Sequence, residues 1–180
     1  ISQGSVTLRL LCRGNNSGTN ASVIHGLVQT VPDLNVHPCD IDRMILGTRA
    51  AKLRAVPPAL SRTGLRGLWG GRSRLHQAAV RSPWYMRRLA CLLADLQNRD
   101  DYDLLMTLGA FYPLQRTDRP YFIYADHTIL ANLAFPDGQR TVQQWGDALD
   151  IERQAFEGAE RVFAMSQHTR RSLIEQYGLP

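Results

Sequence analysis

The stretch "YFIYADHT", residues 121–128, starts as an apolar run and stops in Asp126-His127-Thr128. Two titratable side chains and a hydroxyl at the end of a buried strand mark either a capped turn or the rim of an active site. An imidazole titrates near neutrality and can orient or exchange a proton. A neighbouring carboxylate can fix its tautomer, and Thr128 can cap the turn that follows. A second set of residues lies near the start of the chain. Gly14 and Gly18 bracket Asn15, Asn16 and Ser17 just ahead of a helical pattern. Glycines permit a tight turn, and free N–H groups at a helix start attract phosphate. Asn and Ser add donors for sugar hydroxyls or phosphate oxygens. The spacing is neither a dinucleotide fingerprint nor a Walker motif. The other histidines, His25, His37, His76 and His168, have no comparable context. Cys12, Cys39 and Cys91 are odd in number and widely spaced, which fits neither a disulfide framework nor a zinc site. They read as small buried hydrophobes in a reducing compartment, and no metal is expected.

The elements that must position these groups follow from periodicity. Val6–Cys12 reads as a buried strand, and Ile24, Leu27, Val28 and Val31 share one face of the helix after it. The strand at 34–41 contains Pro38, which makes it weak or an edge. Ser82 and Pro83 open a firm helix with Tyr85, Leu89, Leu92, Leu93 and Leu96 on its apolar side. Segments 103–108, 120–125 and 161–166 read as strands, 141–158 as a helix, and Ser166 caps a last helix that Gly178 ends. Strands alternating with helices predict an α/β, Rossmann-like three-layer domain: a mostly parallel sheet with helices on both faces. In such sheets the ligand lies beyond the carboxyl ends of the strands. That rule singles out the loops at 13–20, 126–132 and 166–169. Trp84, Tyr85, Trp145 and Phe156 read as core.

At 180 residues the chain is one domain with room for a real core. No apolar run approaches the ~20 residues that span a bilayer. The net charge is +5, and Lys52 is the only lysine. Between Asp42 and Asp95 there is no acidic residue, whereas Arg43, Arg49, Lys52, Arg54, Arg62, Arg66, Arg72, Arg74, Arg81, Arg87 and Arg88 all fall there. Pro57, Pro58 and several glycines share the window, which predicts an irregular stretch between Thr48 and Gln77. Leu65, Leu68 and Trp69 among arginines suit an anionic membrane surface, reached through residues 43–88, better than nucleic acid.

A resemblance rests on the end of the chain, "ERVFAMSQHTRRSLIEQYGLP". Glu152, Ala159, Glu160, Val162, Ser166, Arg170, Leu173, Tyr177, Gly178 and Pro180 resemble the close of the N-terminal domain in family 4 of the GT-B glycosyltransferases. "IYADHT" is similar to that family's strand ending in an active-site histidine. The resemblance implies that residues 1–180 are the acceptor-side half of a retaining enzyme. It implies transfer of a hexose from a nucleotide-sugar to a sugar or lipid-linked acceptor, without metal or other cofactor. His127 and Asp126 would be catalytic. Asn15, Asn16, Ser17, Gly18, Thr128 and Ser166 would contact donor or acceptor. The nucleotide would sit on a second domain not contained in these residues, and the half alone would be inactive. A cytoplasmic enzyme, peripheral at the inner face of the plasma membrane, is the matching expectation. The paired glycines usual in the family's first loop are absent here.

Two other classes remain open on the residues. One is a dinucleotide-binding oxidoreductase domain using Gly14–Gly18 and Asp40 for a ribose. The other is a non-catalytic module whose basic stretch binds an anionic surface.

Overall fold

The computed structural model describes residues 5–13, 19–63, 76, 79–80, 82–114, 119–133 and 146–180. Its centre is a five-stranded, all-parallel sheet: β1 (Val6–Cys12), β2 (Leu34–Asp40), β3 (Leu104–Leu108), β4 (Tyr121–Ala125) and β5 (Arg161–Ala164), in the order β2-β1-β3-β4-β5. The expected α/β architecture is present, and strands 1, 3, 4 and 5 are neighbours in that sequence. Register is continuous across the sheet, with Leu8 opposite Leu104, Thr107 opposite Ile123 and Ile123 opposite Val162. β2 pairs only with β1 and forms an edge, which suits the missing N–H of Pro38.

The helices are α1 (Thr19–Thr30), α2 (Ile41–Leu46), α3 (Arg49–Thr63), α4 (Pro83–Gln97), α5 (Ile129–Leu133), α6 (Gly146–Gly158) and α7 (Gln167–Glu175). Parallel strands require crossovers, and these are right-handed. The connection from β1 to β2 moves one way across the sheet, and the later connections move the other way. α1 therefore lies on one face and α4, α6 and α7 on the opposite face. The larger core fills the second face. It joins Leu11, Leu105, Tyr121 and Ile123 of the strands to Tyr85, Leu89, Leu93, Phe156 and Leu173 of the helices. The smaller core lies under α1 and contains Leu8, Leu10 and Met106, with Ile24 and Leu27 against them.

Local signals explain most of the helix ends. The Ser82 side chain accepts from the Tyr85 N–H at 3.2 Å, with Pro83 in the first turn. The Ser166 side chain accepts from the Thr169 N–H at 3.1 Å. Past α7, Gly178 has φ +70°, and the Leu179 N–H donates to the Leu173 carbonyl at 3.0 Å, closing the helix as its sequence predicts.

Three expectations change. Residues 49–63 are helical rather than irregular. Thr48 caps them through the Ala51 N–H at 3.1 Å, and Ala50, Ala51, Leu53 and Ala55 favour helix strongly enough to carry Pro57 and Pro58. Residues 64–75, with Leu65, Leu68 and Trp69, lie outside the described residues, as does Trp145. Cys91 is exposed on α4, so only Cys12 is a fully buried thiol. Val28 of α1 and Val31 just beyond it face solvent rather than the sheet.

Gly158 ends α6 against the sheet. A Cβ there would lie 2.3 Å from the Tyr121 hydroxyl, which donates to the Ala155 carbonyl at 2.8 Å. Gly158→Ala is expected to destabilise the protein by about 1–3 kcal/mol through overpacking. In the background of Tyr121→Phe the loss should be smaller, because the clashing oxygen is gone. A double-mutant cycle from urea unfolding measures this coupling, and simple additivity would rule the close approach out.

Candidate functional site

The carboxyl ends of β1, β3, β4 and β5 open on the same side of the sheet, because the strands are parallel. At the end of β4, one carboxylate oxygen of Asp126 holds its neighbour twice. Oδ1 is 2.8 Å from His127 Nδ1 and accepts from the His127 backbone N–H at 2.9 Å. Both side chains are close to half exposed. Nδ1 is thereby engaged, and Nε2 has no partner among the described residues. The Phe111 ring, from the segment after β3, stands 6.5 Å from the imidazole.

The pair shifts both titrations. The hydrogen bond to Asp126 raises the His127 pKa above its ordinary value, against a smaller effect of burial. The same hydrogen bond lowers the Asp126 pKa. The pair is therefore a charged imidazolium–carboxylate over a wider range than either group alone would give.

Beneath this rim lies a buried polar support. Thr128 is fully buried. Its hydroxyl accepts from the Ala131 N–H at 3.1 Å and lies 2.6 Å from the Ser172 hydroxyl. It caps α5 and faces the core rather than the opening. Glu152, from α6, is also fully buried. Its Oε2 accepts from the Ile129 N–H at 2.9 Å and from the Tyr177 hydroxyl. Burial raises its pKa, while those two donors act to hold the charge in place. The Thr169 hydroxyl donates to the Asp126 carbonyl at 2.7 Å. Residues from β4, α5, α6 and α7 thus fix one short loop. Glu152 and Tyr177 carry the resemblance in the sequence, but their role as supports shows only in the structure.

The other sequence-derived site residues separate. Ser166 is exposed at the end of β5 and serves as the cap of α7. Asn15, Asn16, Ser17 and Gly18 lie outside the described residues. Asp40 ends β2, and its side chain accepts from the Arg43 N–H at 3.0 Å as the cap of α2. Cys12 is buried, and desolvation pushes its thiol up to about 11, so it is no nucleophile at neutral pH. Among the described residues, no three His, Cys, Asp or Glu side chains gather as a metal ion would require.

A cluster that periodicity does not disclose lies at the ends of β1 and β2. Arg13 Nε donates to Asp42 Oδ1 at 3.2 Å, and the Tyr85 hydroxyl donates to the same oxygen. The Arg13 guanidinium stands 5.2 Å from the centre of the Tyr85 ring. His76 Nε2 is 3.5 Å from the other oxygen of Asp42. The available signal was positional: Arg13 and Asp42 each follow the end of a strand almost directly.

Comparison of the chain with family models, curated proteins and solved structures finds no match. The geometry therefore stands by itself. Among the described residues, no helix is long and apolar enough to cross a membrane.

The His127 shift has a definite pH signature. A folded pKa above the unfolded 6.5 contributes stability that is complete below 6.5 and is lost as pH rises through the folded value. Asp126 contributes above its unfolded 3.8 and loses that contribution as pH falls through its lower folded value. The pair should stabilise most between these two reference values. In an NMR titration the His127 ring should titrate above 6.5 and return towards 6.5 in Asp126→Asn. An unchanged titration in that variant would remove the pair as the cause.

Proposed function

We propose that this domain is the acceptor-side half of a retaining glycosyltransferase that uses a nucleotide-sugar donor. The observation that carries the reading is the half-exposed Asp126–His127 pair at the carboxyl end of β4. In parallel α/β sheets this edge is where ligands lie. Asp126 holds Nδ1, so Nε2 is the nitrogen presented outward, able to bond a sugar hydroxyl. The buried support from Glu152, Thr128 and Thr169 keeps the loop in place before any substrate arrives. Such prior ordering is what a positioning group needs. Departure of a nucleoside diphosphate calls for donors that the resembled family keeps on a second α/β domain. The work of this domain is to hold the acceptor and to orient the reacting sugar.

His127→Ala in the full-length protein is expected to lower sugar transfer by about ten- to a hundredfold, the range of one hydrogen bond to a charged group. Its melting temperature at pH 8.5 should stay close to wild type, because the group is exposed and the charged pair contributes least there. Product formation is followed by chromatography with a panel of nucleotide-sugars. Unchanged turnover would remove His127 from the reaction.

A second reading concerns location. On α3, Leu53 is 72% exposed and Val56 is exposed beside Arg49, Lys52 and Arg54. Apolar side chains standing out among cations suit insertion into a membrane interface, with anionic headgroups around them. Pelleting with vesicles should require anionic lipid and weaken as salt rises. Leu53→Asp should reduce it several-fold. Equal pelleting with neutral vesicles would discard the electrostatic part of this reading.

A further inference from the structure

The segment that leaves β3 brings an aromatic ring to the Asp126–His127 pair. Gly109 follows the strand with φ +91°, a conformation in which any other side chain would be strained. Its N–H donates to the Tyr124 carbonyl at 2.8 Å, and its carbonyl accepts from the Thr107 hydroxyl at 2.8 Å. The exit of β3 is thereby fixed to the end of β4. Ala110 and Tyr112 are 2% and 1% exposed, whereas Phe111 between them is partly exposed. Two buried neighbours thus hold one large apolar ring at the surface. That ring stands 6.5 Å from the imidazole of His127, with the two planes inclined at 50°.

The polar side of this corner narrows what it suits. Both hydrogen bonds from His127 to Asp126 end on Oδ1, which leaves Oδ2 as an acceptor on a side chain about half exposed. Nδ1 is held by that carboxylate, and Nε2 is the outward nitrogen. Nε2 donates in the imidazolium and accepts in the neutral ring. A hydroxyl does both, so it meets Nε2 in either state, whereas a carbonyl meets it only when it donates. The negative Oδ2 disfavours anionic ligands and calls for a second donor. The π face of Phe111 carries negative charge and attracts polarised C–H groups. A ligand that answers all three has an apolar ring face and adjacent hydroxyls on the same ring. In a nucleoside, by contrast, the diol stands on the ribose and not on the stacked base.

We infer that Phe111, Asp126 and His127 form a binding platform for an uncharged pyranose ring. The C–H face of the sugar lies on Phe111, one hydroxyl donates to Asp126 Oδ2, and the adjacent hydroxyl bonds His127 Nε2. Phe111 is then the residue that selects a ring over an open-chain polyol, and Asp126 selects a neutral sugar over an acidic one. Gly109 has a supporting role, because its turn and its bond to Tyr124 hold Phe111 beside the pair. Calling this ring the acceptor sugar rests on the glycosyltransferase reading; the platform itself does not.

Proton NMR titration of the full-length protein with the methyl glycosides of glucose, galactose and mannose, without any nucleotide-sugar, tests the platform separately from sugar transfer. Affinity is read from the His127 ring signals. At least one glycoside is expected to move them saturably, and its own C–H protons should shift upfield in the ring current of Phe111. Glucitol, which has hydroxyls but no ring, and uridine should each bind there about tenfold more weakly or not at all. Phe111→Leu keeps the apolar bulk and loses the π face. It should abolish the upfield shifts and weaken binding roughly three- to tenfold. Phe111→Tyr keeps the face and should keep the shifts. The comparison of glycoside with glucitol needs no variant, so it decides the matter even if Phe111→Leu does not fold. The platform is overturned by absence of saturable binding, by equal affinity for glucitol or uridine, or by wild-type shifts and affinity in Phe111→Leu. Glycoside binding with these signs but no transfer from any nucleotide-sugar upholds the platform and removes the transferase reading. Wild-type transfer in Phe111→Leu, with no glycoside bound at His127, removes the platform and leaves that reading in place.

Discussion

All five strands run in the same direction, and nearly everything else in the molecule follows from that constraint. A parallel pair cannot be closed by a tight turn, so each strand needs a long crossover. The fixed hand of the crossovers then assigns the helices to faces. It also gathers every carboxyl strand end on one edge, where residues distant in sequence come together: Phe111 after β3 stands 6.5 Å from His127 after β4, and Arg13 follows β1. The same rule leaves the α1 face unequally covered. Beside α1 runs an apolar groove of about 700 Å³, lined in part by Met106, Phe122, Tyr124, Phe163 and Met165. It is large, but it lacks the convergent polar groups of a catalytic pocket, and its walls come from the middle of the strands. The side chains that could bond a ligand stand at the strand ends, not in this groove.

The rim at β4 depends on a carboxylate that never reaches solvent. Glu152 could not be buried alone, since desolvating a charge without partners is expensive. Two N–H groups or hydroxyls converge on it from outside its own helix, and each belongs to an element that must be held. Ile129 starts α5, and Tyr177 follows α7 with its ring edge-on to Phe156, 5.1 Å between centres. One buried carboxyl group thus ties α5 and α7 to α6. The exposed pair Asp126–His127 stands directly on this tie. That arrangement separates the two tasks, with a rigid support below and titratable groups above.

The sequence disclosed the sheet because alternation and apolar runs depend on neighbours only. It disclosed the caps at Ser82 and Ser166 and the stop at Gly178 for the same reason. It placed Asp126 and His127 at a strand end, since the strand and its polar terminus are contiguous. It did not disclose the roles of Glu152 or Asp42, whose partners lie tens of residues away. It mistook residues 49–63 for irregular chain, because two prolines were weighed above the alanines and leucines around them. It read Thr128 both as the cap of the next turn and as a contact for donor or acceptor, and the structure shows the cap. Thr128 immediately precedes α5, and its capping bond to the Ala131 N–H keeps its side chain buried.

Two arginines show how far position decides what a residue does. Arg9 lies within β1, and Arg13 follows its end. Arg9 is buried, paired with Asp101 at 2.6 Å and stacked 5.2 Å from the centre of the Tyr102 ring. Its Nε and Nη1 have no hydrogen-bond partner, so it carries spare donors. Yet those atoms are sealed, and Asp101 and Tyr102 lie just before β3, at the edge where strands begin. There the cation–π contact and the ion pair offset part of the desolvation. Arg13 stands at the opposite edge, about a quarter exposed and paired with Asp42 at 3.2 Å. The strand direction separates a residue that secures the base of the sheet from one at the edge where open parallel sheets take their ligands.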